Sequence, residues 1–237
     1  MKTRFSIWCA ALMLSFPSHA GISYGSYANS GLIPDGSPVG LAVTAAASGF
    51  APVISDISVN LNIGGPSPYN GDLYAYLSYD GVLVPLLNRV GVGTGNSYGY
   101  GNTGFNVTLS SSAANNIHFY QNYSPSYNGS GQLTGTWQPD GRTVNPGLAS
   151  SSPSSFNAPG TVTFGALNGL NPNGTWTLFI ADLSAGGQSQ LAGWSLDITA
   201  VPEPVNVALG IFAGAFLIVT LARSQPVRKL FRPVPAH

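Results

Sequence analysis

Ile57, Val59, Leu61 and Ile63 alternate with Asp56, Ser58, Asn60 and Asn62. Strict alternation of this kind predicts a strand with one face in a core and the other in water. In 72–87, "DLYAYLSYDGVLVPLL", Leu73, Ala75 and Leu77 face one way and Tyr74 and Tyr76 the other, and Asp80-Gly81 suits a two-residue hairpin turn. Pro85 in the returning strand predicts a sheet edge or a bulge, because proline has no N–H to give to a ladder. Farther on, Trp176, Leu178 and Ile180 share one strand face and Trp194, Leu196 and Ile198 another, with Gly186-Gly187 in the connection. Both tryptophans are expected in the core.

The body shows no convincing 3.6-residue pattern. Short alternating strands separated by Gly, Asn, Asp and Pro predict an all-β fold, an antiparallel jelly-roll β-sandwich. Residues 91–160 are rich in Gly, Ser, Asn and Tyr. Strands are expected in this region and just beyond it, near Gly104–Leu109, Ile117–Gln121 and Thr161–Phe164, joined by long loops. Those loops read either as a binding surface or as plain solvated connections.

The two ends differ from the body. Lys2 and Arg4, an apolar run from Phe5 to Phe16, and the small residues of Ser18-His19-Ala20 predict a secretory signal peptide over 1–20, cut by signal peptidase between Ala20 and Gly21. Cys9, the single cysteine, lies inside it. The exported chain therefore has no thiol for a disulfide, a metal or nucleophilic catalysis. At the other end Val205–Ala222 is almost wholly apolar or small, and as a helix would measure roughly 27 Å, enough for the hydrocarbon of a bilayer. Arg223, Arg228, Lys229 and Arg232 follow, so the positive-inside rule keeps 223–237 in the cytoplasm and the body outside.

Pro202-Glu203-Pro204 stands directly before that span, held extended by its prolines. The order of Pro-Glu-Pro, apolar helix and basic cluster over 201–230 resembles the bacterial PEP-CTERM sorting signal. The resemblance implies an exosortase as partner, cleavage near the motif, transient anchoring in the inner membrane, and delivery to the cell surface or the extracellular matrix. The basic cluster departs from a tight one, since "SQPV" separates Arg223 from Arg228 and Lys229.

Charged residues make up 7% of the chain. Between the two signals, residues 21–200 carry Arg89 and Arg142 against Asp35, Asp56, Asp72, Asp80, Asp140, Asp182 and Asp197, a net of −5. No basic patch for nucleic acid can be built from two arginines. Glycine runs such as "GVGTGNSYGYG" lack the Lys-Ser/Thr and the βαβ context of a phosphate loop. The body contains no Glu, and His118 is its one histidine. His118 is expected in a strand or loop with an ordinary hydrogen bond, and the body is read as non-catalytic. Asn106, Asn122, Asn128 and Asn173 each begin an N-x-Ser/Thr sequon, taken as chance in an Asn/Ser-rich bacterial sequence.

Three blocks of the body resemble the P domain (homo B domain) of proprotein convertases. They are 33–63, then Gly71-Asp72-Leu73 with the strands that follow, and then Asn173–Leu178, Asp182, Leu191 and Trp194–Leu196. The resemblance covers most of 32–199 and implies a jelly-roll sandwich; the Gly/Tyr-rich middle has no counterpart in the pattern. Asp72 and Asp182 stand at turn positions of that pattern. They could cap turns by accepting backbone N–H bonds or bind calcium with nearby carbonyls. The leading expectation is an exported surface module with no cofactor, associated with the envelope or an extracellular polysaccharide. The alternative is a calcium- or glycan-binding adhesion module permanently anchored in the inner membrane.

Overall fold

The computed structural model describes residues 31–202 and 204–223. The signal peptide with Cys9 and the Ala20–Gly21 cleavage site, Glu203, and Arg228, Lys229 and Arg232 lie outside the described residues. The chain divides into two compact units between Val201 and Pro202.

The first unit holds eight strands: β1 (Ser37–Ala47), β2 (Val53–Gly64), β3 (Leu73–Tyr79), β4 (Val82–Asn88), β5 (Phe105–Ser110), β6 (Leu133–Trp137), β7 (Gly174–Asp182) and β8 (Gln190–Val201). They form two sheets in the orders β1-β7-β3-β4 and β6-β5-β2-β8. One continuous core joins the inner faces of both sheets, with Ile57, Val59, Leu61, Leu73, Leu77, Trp176, Leu178, Trp194 and Leu196 among its buried members. The molecule is therefore an all-β sandwich, as the alternating pattern predicts.

In β2 and β3 the alternation holds. Inward residues of β3 are buried while Tyr74 and Tyr76 stay half-buried on the outer face, where Tyr76 stacks on Phe179 at 4.8 Å. The β3–β4 turn places Asp80 at φ 47° and Gly81 at φ 78°, the paired left-handed conformation of a tight hairpin. Pro85 lies where the β3–β4 register shifts, on a strand at the sheet edge, so edge and bulge both occur. Trp176 stacks on Tyr79 at 3.9 Å and donates its indole N–H to Pro172 O at 3.0 Å.

Three expectations are corrected. The β5–β6 pair is parallel, whereas every other strand pair is antiparallel. A parallel pair needs a long crossover, and residues 111–132 supply it. Ile117–Gln121 is part of a 3₁₀ segment, Ile117–Tyr123, because the Asn116 side chain accepts the His118 N–H at 3.0 Å and turns the chain. Thr161–Phe164 is not a strand. Thr161 and Val162 both donate to Gly141 O, and the Thr163 hydroxyl caps a short 3₁₀ turn, Phe164–Leu167.

The second unit contains helix α1 (Pro204–Arg223). Among the described residues no helix is long and apolar enough to cross a membrane. Leu209, Ile211, Phe212, Phe216, Leu217, Ile218 and Val219 of α1 are nevertheless all exposed.

Candidate functional site

The Gly/Ser-rich middle of the chain is organised by buried polar side chains. His118 and Asp140 are each 0% exposed, although neither type is usually enclosed unless paired. His118 Nδ1 lies 2.7 Å from Asp140 Oδ2, and its Nε2 lies 2.8 Å from Val92 O. Both ring nitrogens therefore have hydrogen-bond partners within the protein. Asp140 also accepts the Asn88 N–H on Oδ2 at 3.1 Å and the Arg142 guanidinium on Oδ1 at 3.0 Å. Arg142 in turn donates to Phe156 O at 2.8 Å and Asn116 Oδ1 at 3.1 Å, and lies over the Phe119 ring. Four chain segments, around 88–92, 116–119, 140–142 and 156, thus converge on one ion cluster.

A histidine beside a buried carboxylate is also how a nucleophile's base is oriented. Here the second ring nitrogen is committed to a carbonyl and the ring has no exposed edge, so the pair acts as an internal strut. Gly95-Asn96-Ser97-Tyr98-Gly99 has the letter spacing of a nucleophile elbow, but that motif needs a strand before it and a helix after. Here it is a loop clamped by Asn96, whose amide donates to Gly91 O and Gly99 O and accepts from the N–H groups of Tyr98 and Gly99.

The structure does bring Asp72 and Asp182 together. Leu73 pairs with Asp182 across β3 and β7, and Leu183 N donates to Asp72 O. Asp182 is 1% exposed; its Oδ2 accepts the Ser189 hydroxyl at 2.9 Å, while its Oδ1 has no partner. Burial pushes its carboxyl up to about 6; the Ser189 bond opposes this and the nearby Asp72 charge adds to it. Burial also raises Asp72, against a hydrogen bond from Ser184 and the charge of Arg89. Asp182 also accepts a backbone hydrogen bond from Ser184, as a turn cap would. The counter-charge to both carboxylates is Arg89, whose Nη2 is 3.6 Å from Asp72 Oδ1. Among the described residues no group of three His, Cys, Asp or Glu side chains is placed to hold a metal ion.

Sequence reasoning missed Arg89 as a site residue. Its one local signal is its position after β4, where it takes φ 54°, a left-handed conformation uncommon outside glycine.

The sequons are differently placed. The Asn173 amide bridges the backbone of Phe50, accepting its N–H at 2.9 Å and donating to its carbonyl at 3.0 Å. Asn106 and Asn122 are exposed, and Asn128 is half-buried and hydrogen-bonded to Gln132.

Fold and clusters together define a β-sandwich module with internally braced loops. No family model and no curated protein matches the chain. Two solved structures are similar to it. The serine protease of Aeromonas sobria matches at a TM-score of 0.37 and 13% identity, over 78% of this chain and 27% of that one. The complex of the Aeromonas sobria serine protease with a chaperone matches at 0.36 and 13%, over 78% of this chain and 26% of that one. The chain thus spans about a quarter of the length of either protein.

Proposed function

We propose that this chain is an exported, non-catalytic β-sandwich module that an exosortase sorts through its C-terminal tail to the cell surface or an extracellular polysaccharide matrix. In this reading the body is a jelly roll of the P-domain kind, signal peptidase removes 1–20, and the apolar run 205–222 holds the precursor in the inner membrane. The observation that carries it is the abrupt order at the end of the body: β8 finishes at Val201, and Pro202-Glu203-Pro204, the apolar run and the bases follow without a spacer. The enclosure of His118 supports a body without a catalytic base.

The test is maturation in a host with an active exosortase. Wild type should lose its C-terminus, and the double variant Pro202→Ala, Glu203→Ala should accumulate at full length in the inner membrane. Mass spectrometry that finds His237 on the mature wild-type protein would sink the sorting reading and leave the permanently anchored alternative.

A further inference from the structure

The body's two arginines are both buried, yet one is saturated with acceptors and the other has none. Arg142 makes hydrogen bonds to Asp140, Asn116 and Phe156. The Arg89 side chain is 6% exposed, and its one ion pair, with Asp72 at 3.6 Å, is beyond a good hydrogen bond; the Asp182 charge also acts on it. Its Nε has no partner, nor has the adjacent Asp182 Oδ1. A guanidinium held this way in a left-handed backbone conformation calls for an explanation, because unsatisfied buried donors cost free energy and strained residues gather at binding sites.

Arg89 lies where two surface hollows meet. One is lined by Tyr69, Asp72, Tyr98 and Ser184, the other by Pro38, Asn145 and Leu183; each has a volume of about 340 Å³, and Arg89, Ser150 and Ser184 belong to both. Tyr98, 73% exposed, stands at the first hollow on the loop that Asn96 clamps. Gly71 lets that loop in: a Cβ there would sit 2.2 Å from Tyr98 O. The backbone that carries Tyr98 is thus held in place before any ligand arrives, which lowers the cost of binding.

We infer that this double hollow binds a neutral, hydroxyl-rich saccharide, with the apolar face of one sugar ring against Tyr98 and ring hydroxyls accepting from Arg89 and donating to Asp72. The charge balance selects neutral over acidic sugars. Asp72 and Asp182 act on Arg89, the local cation, and Asp35 acts on both carboxylates, so a uronate would meet net repulsion. A hydroxyl can satisfy a guanidinium and a carboxylate at once, which an anion cannot. This deepens the proposed association with extracellular polysaccharide by naming a site and a ligand class. It does not depend on whether the tail is cut.

The experiment is calorimetric titration of the full chain, held in a phosphocholine detergent so that no glycoside competes. The probes are cellohexaose, mannohexaose and a hexameric oligouronate. At least one neutral hexasaccharide should bind, and Tyr98→Ala, at an exposed position, should weaken it about tenfold with an unchanged melting temperature. Asp72→Asn should weaken it as well. Failure of both neutral probes, binding of the uronate alone, or full-strength binding by Tyr98→Ala each overturns the inference. A failed sorting test changes none of these readings.

Discussion

His118 and Asp140 meet at 2.7 Å with no solvent on either side chain, and the loops at one end of the sandwich are pinned through them. Removing one partner of a buried ion cluster leaves the others without compensation, and the usual cost is about 3–5 kcal/mol. His118→Ala should therefore lower the unfolding free energy by about 3 kcal/mol in urea titrations. A loss below about 1 kcal/mol would mean that the contact is not a strut.

Asp182 predicts an unusual pH response. Its carboxyl binds a proton up to about pH 6 in the folded state, against 3.8 for the ordinary side chain. Between those values the native state keeps a proton that the unfolded chain has lost. Stability from this group is thus highest below about pH 4, falls as pH rises toward 6, and is level above that, a swing of roughly 3 kcal/mol. Asp72 shifts the same way and adds to the slope. Asp182→Asn should flatten much of the trend in melting temperatures measured from pH 4 to 7.

Arg89 occupies the electrostatic place a divalent cation would take beside Asp72 and Asp182. Added calcium, or its removal with EDTA, should leave the melting temperature of the body unchanged. A rise of several degrees with calcium would assign these carboxylates to a metal and remove Arg89 from its role.

The Asn173 amide pairs with the Phe50 backbone as a strand partner would, so it is a structural element. Asn173→Ala should cost about 1–2 kcal/mol, the price of two backbone groups left unpaired. Urea unfolding measures it, and Asn122→Ala, at an exposed sequon, is the control expected to be silent.

Where alternation was strong, the sequence was a direct guide. Asp56–Ile63 became part of β2, Leu73–Leu77 became part of β3, and both tryptophans entered the core, because each such strand has one wet and one dry face. Strand β6 was not foreseen. Its burial does not alternate cleanly, and Gly135 sits in it at φ 98°. The segment 117–121 looks strand-like in composition, but Asn116 captures an N–H that a ladder would have used. The candidate site was half legible. Asp72 and Asp182 stood out at turn positions, whereas Arg89 reaches them only through the β3–β4 and β3–β7 pairings, which no local pattern encodes.

Strand β8 begins just after the Ser184–Gly187 loop at the hollow beside Arg89 and ends at Val201. Suppose the body is gripped at that loop while the tail is still held. Tension then runs lengthwise down β8, against a ladder with β2 that extends from Val53–Val201 to Gly64–Gln190. Both pulling points lie on the chain of β8 itself, so its covalent backbone carries the tension while the ladder with β2 holds it extended. If both proposals hold, load between the saccharide and the membrane passes lengthwise along β8.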